Sequence, residues 1–356
     1  MSQSNSFLLY GATGYTARLL LEKVSQFGLT PILCGRDEAK LRSLAAQHKL
    51  SYRVADLTNA IALNNAMRDV PVVLHCAGPF SRTALPMQQA CLRNGVHYLD
   101  ITGEIAVFEQ GAALDAQAKA RGLMLMSGVG FDVVPTDCIA RFLKDHLPDA
   151  THLELAFANE GGSVSHGTAQ TAADNLGAGG LVRQNGQLQP VPYAHRVLNV
   201  RFANGQTRPC MSIPWGDVST AYHTTGIPNI ETFMAADPMA IRFARAGNYL
   251  GWLLRQPWVR RFAQRQITQR VTGPDEARRT RAQTQVWGRV RNAAGQTAEA
   301  RLSGPDGYDL TVLAALLITR KVLQGEAKPG FQTPAGLFGA DLVLEIPGVK
   351  RVVANE

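Results

Sequence analysis

Phe7-Leu8-Leu9-Tyr10 is an unbroken apolar run that closes on Gly11, and from Tyr15 to Leu21 the apolar positions take up helical spacing. A short apolar run ended by glycine predicts a strand buried on both faces, and the spacing after it predicts a helix. The alternation then repeats. Pro31 to Cys34 precedes Leu41, Leu44, Ala45 and His48 at helical intervals, and Ser51 to Asp56 precedes Ile61, Leu63, Ala66 and Met67. Val72 to His75 precedes a helix over Leu85 to Asn94, while Val96 to Ile101 and Leu123 to Ser127 enclose a helix over Ile105 to Arg121. Regular alternation of this kind predicts an α/β fold, a Rossmann-type doubly wound parallel sheet of about six strands.

From Thr151 the apolar period falls to two. His152 to Phe157 alternates, Val197 to Ala203 and Thr207 to Ser212 flank Asn204-Gly205, and Gln285 to Val290 and Thr297 to Leu302 flank a turn at Gly295. Asn-Gly between two such runs signals a hairpin, so a second α+β domain with a largely antiparallel sheet is expected. Helices are expected at Thr168 to Leu176, in the arginine-rich stretch, and at Tyr308 to Leu323, which is apolar enough to be buried. The expected domains are 1–148, 149–308 for substrate and oligomerisation, and 309–356 as a helix and tail returning to the first domain.

Candidate chemistry begins at Gly11-Ala12-Thr13-Gly14-Tyr15-Thr16-Ala17, placed on the first strand-to-helix turn. Gly11 permits the turn, Gly14 lets backbone N–H groups approach a pyrophosphate, and Ala17 lets the helix pack closely with its positive end toward the anion. Thr13 and Tyr15 belong to the same contact. The second strand ends in Gly35-Arg36, where a carboxylate would select a ribose hydroxyl. Glycine leaves room for a 2′-phosphate and the guanidinium matches its oxygens, so NADP(H) is the expected cofactor. Asp37 is expected to cap the following helix instead. Asp56 ends the third strand beside the adenine, and Ala77, Gly78, Pro79 and Gly130 are expected near the nicotinamide.

His75, Asp100, Thr102, Glu104, Asp132 and Asp137 follow strand ends, where ligands of such sheets bind. Each has a plainer alternative: Asp137 can cap the helix Cys138 to His146, Asp100 can hold a turn, and His75 can be a core histidine. Proton transfer at a reacting centre needs a positioned acid, and the candidates are Asp100, Asp132, His166 and Tyr222. His166 lies among Gly161, Gly162, Ser163 and Gly167, either a loop that closes over substrate or an ordinary solvent loop.

Charge sharpens one region. Met239 to Arg281 holds ten arginines against Asp275 and Glu276, a surplus equal to the formal +8 of the whole chain. Phe243, Leu250 and Leu254 recur there at roughly helical spacing, so one face must be covered by the domain itself, a partner subunit, an anionic membrane surface or an acidic protein. No nucleic-acid-binding motif is present, which excludes that partner. Five dispersed cysteines without a C-x-x-C pair fit reduced thiols in the cytoplasm, no cysteine–histidine cluster suits a metal, and the run Leu310 to Ile318 is too short to span a bilayer. A homodimer with peripheral membrane contact through 239–281 is a further expectation.

Gly11 to Ala17, Gly35-Arg36, Ala77-Gly78-Pro79-Phe80, Tyr98 to Glu104 and Gly130 to Asp137 together resemble the saccharopine dehydrogenase-like oxidoreductases, among them the shorter bacterial trans-acting enoyl reductases. The resemblance extends to Pro214-Trp215-Gly216-Asp217 and Phe331-Gln332-Thr333-Pro334-Ala335. It implies an NADP-binding first domain and hydride transfer to a C=C, C=N or C=O bond of a small molecule. Between Asp145 and Arg320 there is no lysine, and no tyrosine is followed four residues on by lysine, so neither a lysine acid in the second domain nor the short-chain dehydrogenase pair is available. The alternative is a non-catalytic NADP sensor or membrane-associated scaffold.

Overall fold

The computed structural model describes residues 5–161, 177, 179–254, 256, 258–259 and 276–353. They fall into two compact units, Met1–Val134 with Tyr308–Leu337, and Pro135–Gly307 with Phe338–Glu356.

The first unit is built on β1 (Ser6–Tyr10), α1 (Tyr15–Lys23), β2 (Thr30–Gly35), α2 (Glu38–His48), β3 (Tyr52–Val54), α3 (Ala60–Ala66), β4 (Val72–His75), α4 (Phe80–Asn94), β5 (His97–Asp100), α5 (Ile105–Ala113), α6 (Asp115–Ala120) and β6 (Met124–Met126). Its sheet has seven strands, adding the short strand Gly330–Phe331 beside β6 to the expected six, in the order Gly330–Phe331, β6, β5, β4, β1, β2, β3. All pairings are parallel, with Leu8 opposite both Ile32 and Val73. The chain leaves β1 toward β2 on one side and returns to β4 on the other, which opens a crevice at the carboxyl ends of β1 and β4. Phe7, Leu8 and Leu9 are fully buried, as a central strand covered on both faces requires.

Several helix boundaries differ from expectation. α4 begins at Phe80 rather than Leu85 and carries Pro86 inside it, and the helix expected over Ile105 to Arg121 breaks at Leu114 into α5 and α6. The Asp115 carboxylate at that break accepts the Phe331 N–H at 2.9 Å, which ties α6 to the added strand. The apolar helix Gly307–Lys321 also belongs to this unit. Its Arg320 guanidinium lies over the Phe27 ring, 5.3 Å from the centroid, and its Tyr308 ring meets Tyr15 edge-on at 5.2 Å.

The second unit holds α7 (Val134–His146), β7 (His152–Glu160), β8 (Gly180–Gln184), β9 (Gln187–Val191), β10 (Val197–Arg201), β11 (Thr207–Ser212), α8 (Asp217–Thr225), β12 (Asn229–Ala235), α9 (Pro238–Gly247), β13 (Gln283–Arg291), β14 (Thr297–Pro305) and a last strand, Lys350–Val353. The sheet is mixed but mostly antiparallel, in the order β10, β11, β12, β7, β13, β14, Lys350–Val353, with β12 and β7 parallel. Both expected hairpins, β10–β11 and β13–β14, are present. The helix expected at Thr168 to Leu176 lies outside the described residues.

α7, read from the sequence as the end of the first domain, packs within the second unit. Gly288 of β13 makes room for Ile139 and Leu143 of α7, since any side chain there would strike both. On the opposite sheet face, Ala156, Phe233 and Trp287 form a small core, and an ion ladder continues beside it. Glu154 binds Arg289 through Nη2 at 2.6 Å and Arg196 at 2.9 Å, and Arg196 reaches Glu231 at 2.6 Å.

Candidate functional site

The β1–α1 turn is tight because Gly11 has φ +79 and sits against the segment after β4. A Cβ there would lie 2.8 Å from the Ala77 nitrogen and Cβ. Gly11 and Ala12 N–H donate to the Cys34 carbonyl at 2.9 and 3.2 Å, and Gly14 N–H donates to Gly11 O at 2.9 Å. Ala17 is fully buried, which brings α1 close to the sheet. Among the first four helices, α1 differs at its N-terminus. Asp37 accepts from Lys40 N–H at the start of α2, Asn59 from Ala62 N–H at α3, and the Glu104 carboxylate takes both Phe80 and Ser81 N–H at 2.9 Å at α4. Gly14 gives α1 no side-chain cap, and its first turn holds no acidic residue. A helix N-terminus left in this state, at a glycine turn on the carboxyl edge of a parallel sheet, fits a pyrophosphate.

The residues expected around the rest of the cofactor lie along the same edge. Arg36 is exposed just after β2. Asp37, as expected, is turned to its own helix. Asp56 accepts from the Thr58 N–H and hydroxyl at 2.9 and 2.7 Å; these bonds, with a smaller contribution from the Arg36 charge, hold its carboxyl below the usual range. Neither Gly35 nor Gly78 is demanded by the protein's own packing: a Cβ would meet nothing closer than Leu41 at 3.9 Å or the Phe80 ring at 3.6 Å. Gly130 differs, because a Cβ there would lie 2.8 Å from Thr311 Cγ2. Its glycine serves the packing of the helix Gly307–Lys321, and Thr311 Oγ1 also accepts the Phe131 N–H at 3.0 Å.

The chemical candidates separate by environment. His75 is fully buried, and burial pushes its imidazole down to about 3. The Thr83 hydroxyl donates to the Ala77 carbonyl at 2.6 Å, so His75 Nε2 must be the donor in its 3.0 Å contact with Thr83 Oγ1. It is the core histidine of the plainer reading. Asp100 is also fully buried, and burial raises its carboxyl while four donors oppose that: Thr102 and Gly128 N–H at 3.0 and 2.9 Å, Tyr98 and Ser127 hydroxyls at 2.7 and 2.8 Å. Those bonds join the ends of β5 and β6.

Asp132, on the turn after β6, is half-buried, and burial pushes its carboxyl up to about 7. It rests on Gly103, just beyond β5: a Cβ at 103 would lie 2.5 Å from Asp132 Oδ2. Tyr222 stands in the second unit on α8, its ring under the Arg183 guanidinium at 4.3 Å. Arg183 in turn donates to the Val218 and Gly186 carbonyls, so Tyr222 braces the β8–β9 hairpin. Asp137 lies inside the first turn of α7 and accepts from Thr224 Oγ1 at 2.5 Å, which links α7 to α8. His166 lies outside the described residues. Among those residues no cluster of His, Cys, Asp and Glu could hold a metal ion.

Glu104 is expected at a strand end by its position, but its capping of α4 and the Gly103–Asp132 contact join residues too far apart to be read from sequence. Part of the signal was local. Asp100-x-Thr102-x-Glu104 forms two successive side-chain turns, Thr102 N–H to Asp100 and Glu104 N–H to Thr102 Oγ1 at 3.0 Å each.

Residues 7–126 match the family described as "Saccharopine dehydrogenase NADP binding domain". The chain is 31% identical over 198 residues to the "Lipid droplet localized protein" of Caenorhabditis elegans, covering 48% of this chain and 46% of that protein. It is 34% identical over 177 residues to the "Trans-acting enoyl reductase" of Mycobacterium leprae (strain TN), covering 44% and 42%. The chain thus spans about half the length of these relatives. Over 304 residues it is 24% identical to the human "Saccharopine dehydrogenase-like oxidoreductase", covering 70% and 71%. In structure it matches apo saccharopine dehydrogenase (L-Glu forming) from Saccharomyces cerevisiae with a TM-score of 0.67 at 12% identity, covering 98% of this chain and all of that one, a likeness of fold. Residues 7–126 are therefore similar to the NADP-binding domain of saccharopine dehydrogenases, and the chain carries the saccharopine dehydrogenase fold.

Proposed function

We propose that the protein is an NADP(H)-dependent oxidoreductase working as a reductase on a small molecule with a C=C, C=N or C=O bond, and that Asp132 supplies the proton. Gly11, Thr13, Gly14, Tyr15 and Ala17 would hold the pyrophosphate, Gly35 and Arg36 the 2′-phosphate, Asp56 the adenine end, and Ala77, Gly78 and Pro79 the nicotinamide half. The bound nicotinamide supplies the hydride.

The observation that carries the reading is Asp132. A reduction needs a proton as well as a hydride, and a carboxyl pushed up to about 7 is partly protonated at neutral pH. It lies at the carboxyl edge of the sheet, on the side of β4, β5 and β6. Asp100 is placed to support that edge, since its four bonds leave it little capacity to deliver a proton elsewhere. Two relatives are named for enoyl reduction and for lipid droplets, which favours an apolar acceptor.

The test is to follow NADPH absorbance with a panel of enoyl, imine and oxo compounds, apolar ones first. Turnover by the wild type, slowed about 100-fold in Asp132→Asn with NADPH affinity retained, supports the assignment. Undiminished turnover in Asp132→Asn removes Asp132 as the acid. Binding of NADPH without turnover of any compound in the panel favours a non-catalytic sensor.

A further inference from the structure

We propose that α9 and the residues directly after it form a docking surface for an anionic lipid membrane. α9 is anchored in one orientation. Arg245 Nε donates to the Ala194 carbonyl at 2.9 Å, and Asn248 exchanges two bonds with the Tyr193 backbone at 2.9 Å each. Ile241, one turn before Arg245, is the buried apolar residue of this helix at 7% exposure. Met239 and Phe243, also one turn apart, lie on the opposite side.

That outward side is apolar where an ordinary surface helix would be polar. Met239 is 59% exposed and Phe243 71%, and the stretch continues with Tyr249, Leu250, Trp252 and Trp258, all exposed by half or more. Among the described residues every exposed aromatic side chain lies on this stretch, and the rest of the exposed large apolar residues are aliphatic and dispersed. A cluster of this kind marks a surface that meets something other than water.

Charge decides between the possible occupants. In sequence, the stretch Met239 to Arg281 that opens with α9 holds ten arginines against two carboxylates, a surplus equal to the formal charge of the whole chain. In a symmetric contact between two copies the same patch meets itself, which would set arginine against arginine. An anionic bilayer meets the segment with opposite charge, while the aromatic rings enter the headgroup region where Trp and Tyr are favoured. Arg242, exposed beside Phe243, is placed to reach lipid phosphates as that ring inserts. No helix among the described residues is long and apolar enough to cross a membrane, so the contact is peripheral.

The experiment is flotation of the full chain with vesicles of phosphatidylcholine alone and of phosphatidylcholine with phosphatidylserine, at low and high salt. Binding to the anionic vesicles, weakened by salt and lowered roughly tenfold or more in the double variant Phe243→Ser with Trp252→Ser, is expected. The variant should keep the wild-type NADPH affinity and Tm, which separates loss of docking from loss of folding. Absence of binding to anionic vesicles at low salt overturns the proposal, as does binding that the double variant leaves unchanged. A wild-type dimer that the double variant converts to monomer, without vesicle binding, overturns it in favour of a self-interface. The outcome is independent of turnover.

Discussion

The Asp132 carboxylate occupies the space where Gly103 lacks a side chain: a Cβ at 103 would stand 2.5 Å from Oδ2 and 3.0 Å from Cγ. Substituting Gly103→Ala must therefore displace Asp132, because the obstacle is a carboxyl lodged against the backbone. Overpacking of this size costs about 1–3 kcal/mol. The expected result is a moderate loss in urea stability, turnover lowered at least about tenfold, and NADPH affinity within about twofold of wild type. A variant with wild-type turnover would show that the carboxyl's position does not matter.

The titration of Asp132 gives a pH prediction of definite sign. An acid with its midpoint near 7 must be protonated to act, so kcat should fall as pH rises through about 7, and Asp132→Asn should lose that limb. Stability follows by linkage. The folded carboxyl sits above its ordinary 3.8, so its favourable contribution is complete below that value and is lost as pH rises through about 7. Asp132→Asn does not titrate and should decline less between those pH values, measured as Tm at matched ionic strength. Parallel Tm curves for the two proteins would contradict the raised value.

Arg36→Ala tests the cofactor assignment. A charge-assisted contact to phosphate contributes roughly 1.5–3 kcal/mol, so NADPH should bind about tenfold to a hundredfold more weakly, with NADH almost unchanged. Calorimetric titration with both cofactors reads this directly. Equal losses for the two would mean that Arg36 does not face the 2′-phosphate.

Glu154 on β7 joins the two arginines flanking it in the ion ladder, Arg289 at 2.6 Å and Arg196 at 2.9 Å. Its side chain is 16% exposed, but the arginines are 38% and 41% exposed, so solvent screens part of the attraction. Glu154→Gln should cost about 1–2 kcal/mol in urea denaturation, and less in high salt. A cost that does not change with salt would mean the loss is one of packing rather than charge.

Much of this protein was legible from residue order alone, because its signals are local. Phe7 to Gly11 announces a buried strand and a glycine turn within a few residues, Asp37 caps the helix directly after it, and Asn204-Gly205 joins two alternating runs. These features depend on backbone conformation and side-chain period, which neighbouring residues set. The proposed cofactor site rests on the same kind of signal: a glycine turn at the end of a first strand and an arginine at the end of a second are positions along the chain.

The tertiary structure decided what depends on residues far apart. Glu104 caps α4 from 24 positions away, which explains the start at Phe80 that local reading placed at Leu85. Gly130 is required by Thr311, and the apolar helix that carries Thr311 belongs to the first unit although it follows the second in sequence. Asp100 and Asp132 look equivalent in sequence, each an acidic residue just past a strand. Asp100 received four hydrogen-bond donors that join β5 to β6, whereas Asp132 packs against the bare Cα of Gly103, so distant residues set the same functional group in two different environments.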